Sequence, residues 1–231
     1  LTRRSLDIPR STNSSAILSR LWAQLDLFLL PSTNINKLPT KPQKHIQTTL
    51  FSNIQNPQTH TSIKMSGLKV GEPFPENVSF QYIPYQEETA DFKVCGIPVK
   101  YETSKEFQDK KVVIVSIPGA FTPTCSASHL PGYIEHKDEL KAKGVDQVIF
   151  LAYNDPFVMS GWGKANNIKD DFIIFASDPN AAFSTSIGWN HGERTARYAI
   201  VVDHGKVVYA EKETELQGLE VSGAEPVLKA L

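Results

Sequence analysis

The sequence predicts an α/β fold in which helices flank a mixed central sheet, and three observations lead to it. Apolar runs rich in β-branched residues alternate with helix-patterned segments between residues 112 and 175. The runs are continuous rather than alternating, which is typical of central strands buried on both faces. Two later runs, separated only by His204 and Gly205, predict an antiparallel hairpin, so the sheet contains both strand directions.

Each element follows from its own local signals. Gly144 ends the first long helix, and Asp155 followed by Pro156 begins the second, because these residue types are favoured at helix ends. A short β-rich region is predicted at residues 68–102 from Phe80, Tyr82, Tyr85 and Val99. The remaining strands are predicted at 112–117, 148–152, 172–175, 198–203 and 206–210, and the helices at 130–143 and 156–165.

Composition and charge exclude several classes of protein. The 231 residues carry 24 Lys and Arg against 25 Asp and Glu, too balanced for nucleic-acid binding by bulk charge or for a strongly basic membrane-surface protein. With 40% hydrophobic residues and a mean hydropathy of −0.26, a soluble protein with one sizeable core is expected. Two cysteines, Cys95 and Cys125, predict a reduced intracellular setting without a disulfide framework, a zinc cluster or another cofactor.

The charge is unevenly distributed, because residues 1–64 hold eight basic residues and only two acidic ones. This segment is rich in Ser, Thr, Asn, Gln and Pro and is predicted to be mostly disordered, ahead of one globular domain at 65–231. Apolar residues between Leu18 and Leu29 recur at helical spacing, which predicts one amphipathic helix. The leader is interpreted either as a targeting segment like a mitochondrial presequence or as translation upstream of a start at Met65.

The most informative stretch is Pro-Gly-Ala-Phe-Thr-Pro-Thr-Cys-Ser at 118–126, which follows a predicted buried strand and precedes a predicted helix. It places Cys125 at a helix N-terminus, where free backbone N–H groups and the helix dipole favour the thiolate, the nucleophilic form. A dithiol redox motif would read C-x-x-C, but Thr122 stands in place of the first sulfur. The stretch therefore predicts one nucleophile beside a hydroxyl and excludes dithiol exchange within the motif.

Each of these residues also has a simpler interpretation. Cys125 alone is compatible with an inert buried thiol, and Thr122 with a cap of the following helix. His129, four residues after Cys125, suggests a Cys–His protease or transferase, although a histidine at this spacing is more often helix packing. The aromatic residues nearby are interpreted as core or dimer-contact residues: Phe121, Phe157, Trp162 and Trp189.

Pro118, Thr122 and Cys125 fit the pattern P-x-x-x-T-x-x-C, and in this the sequence resembles the peroxiredoxins. The resemblance covers roughly residues 65–231 and implies a thioredoxin-like fold and the activity of a thiol peroxidase. Further segments are most similar to the atypical, type II branch and, within it, to the fungal allergen and peroxisomal-type members: residues 95–101, 152–159, 162–165 and 186–189.

The resemblance implies a role for each residue of the motif. Cys125 would attack hydrogen peroxide or an organic hydroperoxide and become a sulfenic acid. Thr122 would orient the peroxide, and Pro118 would shield the sulfur from water. Arg197 would stabilise the thiolate and the departing oxygen, with Arg194, three residues earlier, as the alternative for this role.

A sulfenic acid must be reduced, and the places where other type II members carry a second cysteine are Phe150 and Val221 here. The resemblance to the fungal members implies that Cys95 forms a disulfide with Cys125 of a partner subunit, which makes a homodimer part of the cycle. The alternative is direct reduction of Cys125, with Cys95 as a small buried hydrophobe. Thioredoxin, or glutathione with glutaredoxin, is the expected reductant.

The residues also allow classes other than an enzyme. A binding or chaperone-like module on the same scaffold would carry its cysteine incidentally, since a fold does not determine a function. A membrane-associated protein would use the amphipathic helix that begins near Leu18. The final Lys-Ala-Leu lacks the basic middle residue of the peroxisomal S-K-L signal, so the cytosol is the expected compartment, with the peroxisome and the mitochondrion as alternatives.

Overall fold

The computed structural model describes residues 67–231, in which seven strands form one central sheet. The predictions for residues 1–64, including the leader and its amphipathic helix, and the start at Met65 lie outside the described residues. Between residues 67 and 231, no helix has the length and apolar character needed to cross a membrane.

The strands are β1 (Ser79–Tyr82), β2 (Val99–Glu102), β3 (Lys111–Ser116), β4 (Gln147–Ala152), β5 (Ile173–Ser177), β6 (Asn190–His191), β7 (Arg194–Thr195), β8 (Tyr198–Asp203) and β9 (Lys206–Lys212). The helices are α1 (Thr103–Glu106), α2 (Leu130–Glu135), α3 (Lys137–Ala142), α4 (Pro156–Ala165), α5 (Ala182–Ser186) and α6 (Ala224–Ala230). Two 3₁₀ turns lie at Glu87–Thr89 and Pro179–Ala181, and a π-helical turn, Cys125–His129, leads into α2.

The sheet has the strand order β2-β1-β5-β4-β3-β8-β9, and β6 and β7 form a separate ribbon. The three central strands β3, β4 and β5 are parallel. On either side β1 pairs antiparallel with β5 and β8 with β3, and the edge strands β2 and β9 pair antiparallel with β1 and β8. Alternate residues of β3 face two different buried clusters, Val113 and Val115 on one side and Val112 and Ile114 on the other. The prediction of central strands buried on both faces in a mixed sheet is therefore confirmed.

The predicted helix at 130–143 is wrong in one respect, because the structure divides it into α2 and α3 at His136. His136 has φ −90° and ψ 15°, outside the helical range. Asp138 and Glu139 lie in the first turn of α3, where acidic side chains favour the start of a helix. Gly144 follows with a φ of 79°, as expected after a helix end.

The helix at 156–165 and the strands predicted from residue 112 onward agree with the structure to within one or two residues at their ends. In the β-rich region predicted at 68–102 only β1 and β2 are strands, and Tyr85 lies outside both. Helix α4 begins at Pro156, and the Asp155 carboxylate caps it by accepting hydrogen bonds from the N–H groups of Phe157 and Val158. The hairpin between β8 and β9 turns at His204 and Gly205, which both have positive φ.

Candidate active site

The candidate site begins where β3 ends, at the carboxyl edge of the central strands. The chain leaves β3 at Ser116, forms a loop and enters a helix whose π-helical turn starts at Cys125. The Cys125 side chain is fully buried. The cysteine therefore lies in the first turns of a helix, as the sequence predicts.

Two hydrogen bonds hold the loop that precedes the cysteine. The Thr122 hydroxyl donates to the Gly119 carbonyl at 2.8 Å, and the Ala120 N–H donates to Oδ1 of Asn154 at 2.9 Å. Between them Phe121 has a φ of 59°, a conformation that a bulky residue seldom adopts without such support. The Thr122 hydroxyl gives its proton to the loop and makes no capping bond, so its oxygen is left to accept a proton from another molecule.

Sheet register brings Arg197 to the same edge. Tyr198, the first residue of β8, pairs with Ser116, the last residue of β3, so Arg197 lies beside the start of the active-site loop. Arg197 as a whole residue is 3% exposed. Its Nε donates to the Leu216 carbonyl at 3.0 Å, and its Nη1 donates to Nδ1 of His129 at 2.8 Å. These two bonds use two of the five N–H groups of the guanidinium, so three N–H groups remain for other acceptors.

His129 connects the helix of Cys125 to Arg197. Nε2 lies 2.8 Å from the Ser222 carbonyl and donates to it, and Nδ1 accepts from Arg197. Burial is the main reason that the pKa of His129 falls to about 4; the Arg197 charge adds to the effect, and the bond to Ser222 opposes it. The imidazole is therefore neutral at physiological pH. Both ring nitrogens are engaged, which leaves neither to act as a base on Cys125.

Arg194, the alternative to Arg197, lies in a different environment. It is exposed on the β6–β7 ribbon, and its guanidinium stacks over the Tyr153 ring, 5.3 Å from the ring centre. Pro118 is half-buried at the start of the loop. Trp162 is buried in the core, whereas Phe121 and Phe157 are 56% and 50% exposed.

Cys95 lies apart from the other predicted site residues, exposed in the loop before β2. The ammonium group of Lys164 holds this loop by donating to the carbonyls of Val94 and Asp91, at 2.6 and 3.2 Å. A side chain at Gly96 would lie 2.5 Å from the methyl carbon Cγ2 of Ile83, so only glycine lets the loop pack this closely. Cys95 is therefore exposed on a segment that is held in place.

Helix α4 stands between the two cysteines. On one face Nε1 of Trp162 donates to Oγ of Ser126, next to Cys125, at 3.2 Å. Lys164, two residues on and therefore about 200° around the helix, contacts the Cys95 loop instead. Strands β2 and β3 are also four strand spacings apart, about 19 Å. The structure does not bring Cys95 to Cys125 within one chain, and both thiols are free.

Sequence reasoning missed three residues that support the site. Asn154 holds the active-site loop, and its position two residues after β4, at the same sheet edge, was an available signal. Glu213 and Ser222 organise the segment that contacts His129 and Arg197, and no local pattern marks them. Among residues 67–231, no group of His, Cys, Asp or Glu side chains is arranged to hold a metal ion.

Known proteins are similar to this chain in sequence and in fold. The chain matches the Redoxin family model over residues 69–228. The peroxiredoxin Pen c 3 of Penicillium citrinum is 57% identical over 165 residues, 71% of this chain and 99% of that protein. Peroxiredoxin AHP1 of Chaetomium thermophilum is 51% identical over 167 residues, 72% of this chain and 96% of that protein. The crystal structure of reduced Prx3 from Vibrio vulnificus in complex with H₂O₂ has a TM-score of 0.61 and 37% identity, covering 71% of this chain and 98% of that one.

Proposed function

The chain belongs to the redoxin family and is a type II peroxiredoxin, a thiol peroxidase, and from this premise we propose how its residues divide the reaction. The observation that carries the proposal is the buried path of hydrogen bonds from Arg197 to His129, on the helical turn that begins at Cys125. This path ties a cation to the turn that holds the nucleophile.

Cys125 is the residue that reacts with the peroxide. Its thiolate attacks the terminal oxygen of the hydroperoxide, so that an S–O bond forms while the O–O bond breaks. The electron pair of the O–O bond leaves on the second oxygen, which takes a proton from solvent and departs as water or an alcohol. The sulfur is thereby oxidised to a sulfenic acid, and the peroxide is reduced.

Thr122, Arg197 and Pro118 assist this step in different ways. Because the Thr122 hydroxyl proton is bonded to the Gly119 carbonyl, its oxygen accepts the O–H proton of the peroxide and so orients the peroxide. The free N–H groups of Arg197 stabilise the thiolate and the negative charge that develops on the leaving oxygen. Pro118 limits the access of water without offering a polar group.

The neutral state of His129 suits this role of Arg197. A protonated imidazole could not accept the bond from Nη1 and would place a second positive charge beside the guanidinium. The low pKa of His129, about 4, keeps the acceptor available across the physiological range. His129 is thus a positioning residue for Arg197 and not the base of a Cys–His pair.

Cys95 is the resolving residue, and it acts on another copy of the chain. Its thiolate attacks the sulfur of the sulfenic acid, an S–S bond forms, and hydroxide leaves as water. Intervening helix α4 argues against a disulfide within one chain, since the Cα atoms of a disulfide lie less than about 7 Å apart. Cys125 is buried, so the turn at Cys125–His129 opens before the disulfide forms.

The partners follow from this cycle. A homodimer supplies Cys95 of one chain to Cys125 of the other. Thioredoxin, or glutathione with glutaredoxin, then reduces the exposed product, and a cytosolic location suits two free thiols. Each of these reductants supplies the two electrons that return both sulfurs to thiols.

One equivalent of hydrogen peroxide tests the division of roles between the cysteines. The reduced full chain is treated and its intact mass is measured under denaturing, non-reducing conditions. We expect a covalent dimer in the unsubstituted chain, and an oxidised but unlinked chain in Cys95→Ser. Exposed Ser104 provides a matched control, since Ser104→Ala should leave the dimer unchanged.

Other outcomes identify which part of the proposal fails. A dimer that persists in Cys95→Ser would mean that Cys125 links to its counterpart and that Cys95 is not the resolving residue. A chain that gains oxygen at Cys125 without linking would assign resolution to an external thiol. Oxidation that continues unchanged in Cys125→Ser would contradict the role of Cys125 itself.

A further inference from the structure

The segment that follows β9 is folded around one buried carboxylate. Oε1 of Glu213 accepts three hydrogen bonds, from the N–H of Val221 at 2.9 Å, the N–H of Ser222 at 2.7 Å and the Ser222 hydroxyl at 2.8 Å. A side chain at Gly218 would lie 2.8 Å from Oε2, so the segment passes the carboxylate as bare backbone. We define this segment, residues 213–223, as the support loop.

The support loop is also bonded to the residue that precedes β8. The backbone N–H of Glu213 donates to the Arg197 carbonyl at 2.9 Å. Glu213 thus binds the Arg197 carbonyl through its own backbone N–H, and it binds the far end of the support loop through its carboxylate. Glu213 forms no ion pair with a cation in the part of the chain that the structure describes.

The support loop presents two carbonyl groups to the site. The Leu216 carbonyl accepts directly from Nε of Arg197, and the Ser222 carbonyl accepts from Nε2 of His129 and from the Tyr133 hydroxyl, both at 2.8 Å. His129 in turn accepts from Nη1 of Arg197. Both bonds that orient the guanidinium therefore depend on the fold of the loop.

We infer that Glu213 is a positioning residue of the peroxidase reaction, acting through the Ser222 carbonyl and His129 on the guanidinium of Arg197. This inference rests on the proposed role of Arg197. The alternative is that Glu213 only stabilises the fold. The two differ in one consequence: a positioning residue loses its effect once Arg197 is replaced, whereas a structural residue does not.

The ionised state of Glu213 is consistent with this role. Burial raises the pKa of Glu213, but the donors of Val221 and Ser222 outweigh it and leave the pKa below its ordinary value. The carboxylate is therefore charged at physiological pH and accepts all three bonds. Glu213→Gln removes the charge while it keeps the size of the side chain.

A double-mutant cycle tests the inference on the full chain. The rate constant for oxidation of Cys125 by hydrogen peroxide is measured for the unsubstituted chain, Glu213→Gln, Arg197→Lys and the double variant. We expect Glu213→Gln to slow oxidation about tenfold in the unsubstituted background, as for loss of one charge-assisted hydrogen bond, and less than about twofold in Arg197→Lys. Glu211→Gln, the same change on an exposed residue of β9, should have no effect.

Alkylation by iodoacetamide separates positioning from loosening of the fold. Cys125 is buried, so a variant that loosens the structure should be alkylated faster at this thiol. Loss of positioning alone slows the reaction with peroxide and leaves alkylation no faster than in the unsubstituted chain. Equal slowing in both backgrounds, no slowing in either, or slowing with faster alkylation would each overturn the inference.

Two further results have a definite meaning for Arg197 and Glu213. If Arg197→Lys itself keeps the full rate, the proposed role of Arg197 fails, and that failure is visible before Glu213 is considered. If Glu213→Gln does not fold, Ser222→Ala decides, since it removes one donor to the carboxylate and leaves the carbonyl in place. We then expect about threefold slowing in the unsubstituted background and none in Arg197→Lys; equal rates or equal slowing would overturn the inference.

Discussion

The two cysteines of this chain lie in contrasting surroundings. Cys125 is fully buried at the start of a helix, after a loop that hydrogen bonds hold in place. Its helical turn also carries His129, which accepts a hydrogen bond from Arg197. Cys95 is exposed in a loop before an edge strand, with exposed Phe92, Val94 and Ile97 around it. If accessibility governed reactivity, Cys95 would react first with peroxide.

The comparison teaches that accessibility and chemical competence are separate properties. Peroxide is small, and its reduction needs a thiolate together with groups that orient the O–O bond and accept charge on the leaving oxygen. In the proposed mechanism Thr122 and Arg197 are these groups at Cys125, and no such role is proposed for the residues around Cys95. Resolution is different, because a second protein thiol must approach a sulfenic acid, and there exposure is the property that counts.

The largest effect expected on the Cys125 side comes from Arg197. Arg197→Lys keeps the charge but loses the planar guanidinium, which donates one hydrogen bond to the Leu216 carbonyl and another to His129. We therefore expect peroxide oxidation of Cys125 to slow about 10³-fold. The matched control is Arg194→Lys, which changes an exposed guanidinium stacked on Tyr153 and should alter the rate less than about twofold. Stopped-flow kinetics of the two variants checks this, and the reverse order would transfer the role to Arg194.

A smaller effect is expected on stability as a function of pH, through His129. Its pKa of about 4 in the folded state lies below the ordinary value of 6.5, so the unfolded chain binds this proton first as the pH falls. The contribution of His129 to the free energy of unfolding is fully present above pH 6.5. As the pH falls from 6.5 to 4, this free energy decreases by about 3 kcal/mol.

Urea unfolding at several pH values measures this dependence. His129→Gln should flatten the loss of stability between pH 6.5 and 4, because glutamine has no proton to take up. His191→Gln, at an exposed histidine, should keep the full dependence. A flattening that occurs equally in both variants would mean that the buried site of His129 is not its origin.

The smallest effect concerns the loop of Cys95. Lys164→Met removes both bonds that hold the loop, so we expect disulfide formation after oxidation to slow about fivefold while oxidation of Cys125 keeps its rate. Lys169→Met, at an exposed lysine just beyond α4, is the control. Non-reducing electrophoresis over time follows the disulfide. Slower oxidation of Cys125 itself would show that the two regions are not independent.

Much of the fold could be predicted because its signals are local. The buried runs of β3, β4 and β5 and the Asp155-Pro156 start of α4 are each visible within a few residues. The break at His136 was missed, since neither proline nor glycine marks it and only the acidic residues after it favour a new helix. Patterns of residue type therefore predict where helices and strands lie better than they predict a break within a helix.

The residues of the candidate site also differ in how local their sequence signals are. The proposed nucleophile Cys125 and Thr122 lie in one short motif, whereas Arg197 reaches the candidate site only through the pairing of β8 with β3. The support loop is harder still, because Glu213 and Ser222 act through a side chain and a carbonyl that meet only in the folded chain. Such long-range contacts leave no periodicity in the sequence.

The most direct measurement compares the two thiols, one at a time. The full chain carrying only Cys125, as Cys95→Ser, and the full chain carrying only Cys95, as Cys125→Ser, are treated with the same excess of hydrogen peroxide, and loss of thiol is followed. We expect the buried thiol to react at least about 10³-fold faster in the folded protein, and the two rates to converge in denaturant. Equal rates in the folded protein, or faster loss of Cys95, would contradict the account.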